Sequence, residues 1–248
     1  MNRVHHLQIE LGEIGKHVLL TEDFNRCKLI ARHFKNPKLI ANNREYITFT
    51  GKYKGLLVSV TSTGMGCPSS AIALEELIMS GATFFIQLGT TKALQKNIEL
   101  GELVIPTSAV RMDGTSLEYV PIEFPAVADN SIANALINIS RQKKQKFHEG
   151  TIMSHDAFYK INSVFHSDDL KRENVWVNAN VLSVDNESSA LFTIGYLRNA
   201  RVGTLLTVTE NLQTPYIIKD NEEENHYFHL MTDICLEAFN QLEDINKH

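Results

Sequence analysis

The chain is poor in cysteine, and the cysteines it has form no pattern: Cys27, Cys67 and Cys235 are scattered and odd in number. With no CxxC pair among them, neither a disulfide framework nor a zinc site is indicated. A reducing cytoplasm is the expected setting. No segment approaches the ~18–20 apolar residues that a membrane helix needs, so no membrane partner is expected. The start, Met1-Asn2-Arg3-Val4-His5-His6, lacks the apolar core of a signal peptide. Positive charge is in short supply too. The 24 Lys and Arg stand against 29 Asp and Glu, for a net charge of −5 and a pI near 6.1, which argues against a general nucleic-acid binder. There is no internal repeat and no low-complexity linker. Gly64-Met65-Gly66 lacks the third glycine of a dinucleotide-binding turn, and no ribose-binding acid follows about 20 residues on.

What is present is a core. Of the 248 residues, 43% are hydrophobic, enough for a sizeable interior. Apolar runs read as buried strands at Val18 to Leu20, Leu56 to Val60, Phe84 to Leu88, Leu103 to Pro106, Leu182 to Val184 and Thr204 to Val208. Glu45 to Thr50 alternates and then turns at Gly51. Helical patterns run through Cys27 to Ala31, from Ala71 to Ser80 with Ser69 as N-cap, from Glu187 to Arg198, and along the amphipathic tail from Asn225 to Ile245. Helices alternate with apolar strands across residues 1–248, which predicts a single α/β domain with a mostly parallel central sheet.

The most informative stretch is Thr63-Gly64-Met65-Gly66-Cys67-Pro68-Ser69-Ser70, followed by the helix and strand that end at Leu88-Gly89-Thr90-Thr91. It combines a glycine-rich turn, a helix, a fully apolar strand and a second glycine–threonine turn. Open α/β sheets place their ligands at such turns, at the carboxyl ends of parallel strands. A small-molecule site is therefore expected here.

Several ordered motifs carry a resemblance. Glu99-Leu100-Gly101-Glu102-Leu103-Val104 is similar to a strand entry of the nucleoside phosphorylase superfamily. Arg111 to Leu117, with Glu123-Phe124-Pro125-Ala126-Val127-Ala128-Asp129, resembles its uridine phosphorylase branch. Ser154-His155-Asp156-Ala157-Phe158-Tyr159 resembles the family's Ser-x-Asp-x-Phe-Tyr segment, and Asp185-Asn186-Glu187-Ser188-Ser189-Ala190 its Glu-Met-Glu-Ser-x-Ala stretch. The resemblance covers nearly the whole chain.

The resemblance implies a three-layer α/β/α fold with a mixed, mostly parallel sheet. It also implies a reaction, the phosphorolysis of a nucleoside to free base and ribose 1-phosphate, with phosphate as co-substrate and no cofactor required. The physics is charge management: the ribose becomes oxocarbenium-like, phosphate attacks, and the base departs with negative charge. By position, Arg26 and Arg44 match phosphate arginines, Arg44 being contributed by a neighbouring subunit. A guanidinium suits that task because it binds an oxyanion through two parallel hydrogen bonds. Thr90 matches a contact to phosphate and ribose. Glu187 matches the acceptor of the ribose hydroxyls with Asn186 beside it, and His6 the histidine that reaches the ribose across a dimer interface. Phe158, Asn162, Thr91, Lys92 and Glu210 fall at the base. Glu45 and Ser69 match positions that hold a potassium ion between subunits in some relatives. A homo-oligomer built on a dimer, a hexamer in the expected form, follows from the shared site.

Departures cluster in the same place. Glu22 and Phe24 replace the glycine and proline of the phosphate loop, and Gln87 replaces a third phosphate arginine. Lys92 replaces a glycine, Asn162 and Val164 replace the residues that read uracil, and Asp185 and Asn186 replace a glutamate and a methionine. A lost arginine–phosphate bond costs roughly 1.5–3 kcal/mol. A carboxylate about 4 Å from phosphate costs about 4 kcal/mol at an effective dielectric of ~20. Together they would reduce phosphate use by roughly 10⁴, unless Glu22 points away or pairs with Lys92. Three readings stay open: a phosphorylase with altered base preference, which is favoured; a paralogue that binds nucleoside but turns over weakly or not at all; and a nucleoside hydrolase with Glu22 as general base.

Overall fold

The structure, a computed structural model, describes residues 3–159, 174–214, 217–218 and 221–246. In chain order the elements are β1 (His17–Thr21), α1 (Phe24–Ala31), β2 (Lys35–Asn43), β3 (Tyr46–Tyr53), β4 (Leu56–Ser62), α2 (Cys67–Met79), β5 (Phe84–Ala93), β6 (Leu103–Met112), α3 (Thr115–Tyr119), β7 (Ala126–Val127), α4 (Asn130–Gln142), β8 (Phe147–His155), β9 (Ser183–Asp185), α5 (Ser188–Leu197), β10 (Arg201–Asn211) and α6 (Asn221–Asn246). Residues 174–178 are helical as well.

Because side chains alternate along a strand, the apolar runs feed two cores. Val18, Leu20, Phe85 and Leu206 pack on one face of the sheet with Leu74 and Leu77 of α2 and Leu191 and Ile194 of α5. Leu19, Ile86, Leu88 and Leu205 pack on the other with α1, with Ile132 and Leu136 of α4, and with Phe228, Met231 and Phe239 of α6. These are the three layers.

The sheet is mixed. Parallel pairing joins β4 to β1, β1 to β5 and β5 to β10, and also β6 to β8 and β8 to β9. Antiparallel pairs attach β3 and β2 at one margin. Two more link β10 to β6 and β9 to β5, so that five strands close into a ring. The closure brings the carboxyl ends of β1, β5, β8, β9 and β10 toward one place.

Two expectations need correction. The strand expected to turn at Gly51 runs on to Tyr53 and turns at Lys54-Gly55, where both residues have positive φ. Ser69 is not the N-cap of α2. Gly66 is, with proline in the first turn, while Ser69 lies inside the helix and donates its hydroxyl to the Thr63 carbonyl. The strands β2 and β8 and the helix α4 add to the elements expected from the apolar runs.

One buried cation organises a loop. Arg111, 5% exposed at the end of β6, makes five hydrogen bonds: Nε to Ser116 Oγ, Nη1 to the carbonyls of Pro121 and Phe124, and Nη2 to those of Ser116 and Val120. Only the planar guanidinium fork reaches all of these acceptors at once. Arg111→Lys is expected to strand at least two carbonyls and to cost about 2–4 kcal/mol. Thermal unfolding should show a melting temperature about 5–15 °C lower; an unchanged value would mean that the loop holds itself.

Candidate active site

A cleft of about 1000 Å³ opens where those strand ends converge. Its polar end holds Glu22, Arg26, Thr90, Asn186 and Glu187, and its apolar wall Leu94, Met153, Trp176, Val184 and Leu212.

The polar end is built on the start of α5. Glu187 occupies the N-cap position but makes no capping bond. Asp185 does that work, accepting from the Ser188 amide at 3.0 Å and from Ser188 Oγ at 2.5 Å. Relieved of capping, Glu187 turns back toward the glycine-rich turn. Its Oε1 accepts from the Gly66 amide at 2.7 Å, and its Oε2 from Gln87 Nε2 at 3.3 Å. Gly66 has φ +92°, a conformation that glycine adopts without strain. Ser154 Oγ donates to Asp185 and accepts from the Ser189 amide, and Ser189 Oγ donates to Asp113. The two resembling segments thus form one buried hydrogen-bonded chain. Burial pushes the Asp185 carboxyl up to about 6, against the hydrogen bonds from Ser154 and Ser188. Burial first, then the charges of Glu22 and Asp185, raise Glu187 well above the usual carboxylate range.

Glu22 points into the cleft. Its Oε1 lies against Gly89, where a Cβ would come within 2.6 Å of it. Its Oε2 accepts from Arg26 Nη1 at 3.2 Å. Neither escape foreseen for Glu22 is therefore taken. It does not point away, and Lys92 pairs with Glu210 instead, at 3.0 Å. Arg26 also stacks on Phe228, 4.4 Å from the ring centroid. Gln87 is 2% exposed and serves as a partner of Glu187.

Of the residues expected at the site, the cleft gathers Arg26, Thr90, Thr91, Lys92, Phe158, Asn186, Glu187 and Glu210. Thr91 is buried and donates to the Val184 carbonyl. Asn186 donates its amide to the His155 carbonyl. Asn162 lies outside the described residues, as does Val164. Arg44 is exposed on the β2–β3 turn and does not line the cleft. Glu45 and Ser69 meet at 3.3 Å near that turn. His6 lines a separate cavity of about 570 Å³, its Nδ1 2.7 Å from Glu76 Oε1. Trp176, Met153, His155 and Leu212 were not anticipated. His155 sits inside the Ser154–Tyr159 motif but carried no expected role, while Met153 of β8, Leu212 just past β10 and Trp176 of the helical residues 174–178 have no local motif to mark them. Among the described residues no His, Cys, Asp or Glu cluster fits a metal ion, and no helix is long and apolar enough to cross a membrane.

The comparisons agree with this architecture. The phosphorylase superfamily matches residues 16–242. The uridine phosphorylase of Treponema pallidum is 39% identical over 211 residues, covering 84% of this chain and 82% of that protein. The guanosine phosphorylase of Halorubrum lacusprofundi is 35% identical over 207 residues, covering 84% and 83%. The crystal structure of uridine phosphorylase from Vibrio fischeri superposes with a TM-score of 0.89 at 32% identity, covering 97% of this chain and 98% of that one. The chain belongs to the nucleoside phosphorylase superfamily, in its uridine phosphorylase branch.

The raised Asp185 pKa has a stability consequence. The folded state holds this proton up to about pH 6, whereas an unfolded aspartate releases it near ~3.9. The protonated group thus favours folding at low pH, and that contribution is lost as the pH rises through about 6. Measured by denaturant unfolding, the stability of the wild type relative to Asp185→Asn should fall between pH 4 and pH 7 by up to about 3 kcal/mol. A difference that stays flat across this range would show that Asp185 does not titrate there.

Proposed function

We propose that the cleft binds a nucleoside and transfers its ribosyl group to phosphate, releasing the free base and ribose 1-phosphate. The observation that carries this reading is Glu187, a buried carboxylate freed from helix capping and held by Gly66 and Gln87 at the cleft wall with Thr90 and Arg26. Such a group accepts from ribose hydroxyls, and those bonds strengthen as positive charge grows on the sugar. Relatives named as uridine and guanosine phosphorylases favour a nucleobase leaving group and leave pyrimidine and purine both open. The lysine at position 92, with Asn162 and Val164 in place of the residues that read uracil, favours an altered base preference.

The same reading takes residues 1–248 as one domain acting in the cytoplasm as a dimer-based oligomer, a hexamer in its full form. Arg44 and His6 stand outside their own cleft and serve a neighbour's. Glu45 Oε1, Ser69 Oγ and the nearby Thr63 carbonyl are hard oxygen donors suited to potassium. They would hold the ion between subunits, where it would fix the β2–β3 turn.

Glu22 sets the phosphate affinity. Its carboxylate occupies Arg26, so phosphate meets a committed cation and a fixed negative charge. It also supports a second reading, in which Glu22 acts as general base on water and the cleft hydrolyses the nucleoside. One experiment separates the two: base release from uridine, thymidine, inosine and adenosine, with and without phosphate, for the wild type and Glu22→Gln. Phosphorolysis gives ribose 1-phosphate and no release without phosphate, and Glu22→Gln lowers the KM for phosphate about 10- to 100-fold. Release without phosphate that disappears in Glu22→Gln establishes hydrolysis. Release under neither condition leaves a binding paralogue.

A further inference from the structure

Lys92 is a departure at the base end of the cleft to which no chemical step has yet been assigned. It lies on β5, opposite Glu210 of β10, and that opposition is made by a bulge: Val208 pairs with Thr91 and Glu210 with Lys92, leaving Thr209 as the extra residue. Without the bulge Thr209 would face Lys92. Bulges re-aim side chains in this way next to active sites. The Lys92 ammonium is 3.0 Å from Glu210 Oε2 and 4.5 Å from the centroid of the Phe158 ring. Both side chains of the ion pair are a little under one-third exposed, at 28% and 29%, and a pair this wet contributes little to stability. The neighbouring strand positions carry apolar residues. Lys92 and Met153 both pair with Val184, and Leu212 donates its amide to the Ala93 carbonyl. The cation therefore sits beside the strands that carry the apolar wall, paired with Glu210 rather than with Glu22.

Resting on the reading of the cleft as a ribosyl-transfer site, we infer that Lys92 is the cation that meets the departing base, and that Glu210 and Phe158 hold it in place. As the C1′–N bond breaks, its electron pair leaves with the base, and a phosphate oxygen forms the new C1′–O bond. The negative charge spreads over the ring nitrogens and carbonyl oxygens of the base. The Lys92 ammonium has three hydrogens: one goes to Glu210, and the aromatic face of Phe158 fixes the direction of the others. A base carbonyl takes a remaining one without proton transfer, and the anion collects its proton later from water. The substrate class follows: nucleosides whose base leaves as an anion bearing a carbonyl oxygen.

The test is binding of free bases by calorimetry at pH 8, comparing uracil with the more acidic 5-nitrouracil and hypoxanthine with the more acidic xanthine. In the wild type the acidic member of at least one pair binds more tightly. Lys92→Met removes that advantage, weakening the acidic base about 10- to 100-fold more than its neutral partner. Lys92→Arg restores most of it, and thermal unfolding confirms that both variants are folded. Equal losses for both members of a pair, no loss in Lys92→Met, or no binding of any base by the wild type each overturn the assignment. A wild type that prefers the acidic base through Lys92 yet releases no base from nucleosides upholds Lys92 and overturns the phosphorylase reading instead.

Discussion

The bond from the Ser188 amide to Asp185 decides what the rest of the cleft can do. A helix start must satisfy its free amides, and a short polar side chain at the N-cap position ordinarily does so. Here the carboxylate two residues earlier takes the task. Glu187, at the cap itself, swings across to the Gly66 amide. The glycine-rich turn, the buried Gln87 and the first turn of α5 are thereby joined through a single carboxylate. The cleft gains a buried acceptor whose position is over-determined from three sides.

The cost is electrostatic. Glu22, Asp185 and Glu187 all line the same cleft, two of them deeply buried, and the protein manages this crowding locally. Asp185 is ringed by serine hydroxyls and carries a raised pKa. Glu22 is answered by Arg26 and Glu210 by Lys92. Arg26 and Lys92 are thus matched to anions before any ligand arrives, so an incoming anion must compete for them. That is a different solution from a preformed cationic cradle, and it follows from substitutions that could have disrupted the site had they been scattered.

Much of the fold was legible because it rests on local pattern. The apolar runs around Val18, Phe84 and Thr204 are fully buried strands, and the helix opening at Glu187 begins where its composition says. The missed elements lack that signal. β2 is largely exposed and edge-like, and β8 interleaves polar residues that face neighbouring strands. The N-cap of α2 was misplaced because Ser69 has a capper's chemistry, while the real cap, Gly66, works through backbone conformation alone. In the site, order along the chain located Arg26, Thr90 and Glu187. Which charge meets which could not be read. The Lys92–Glu210 pair depends on a one-residue bulge, and the seat of Glu22 depends on the missing side chain of Gly89. Met153 is brought in by ring closure, a property of topology that no window of sequence contains.

That closure also bears on how the chain reaches its native state. β10 is inserted between β5 and β6, although it follows them by about a hundred residues. Until it arrives, both strands present unpaired edges, and the cleft lacks the wall that carries Glu210. Pairings of such long sequence separation form slowly, and open strand edges invite contact with other chains. During synthesis, the stretch up to the end of α5 is thus an unclosed sheet with an incomplete binding site. The arrival of β10 makes one event of two things: the burial of the last apolar edge and the completion of the pocket.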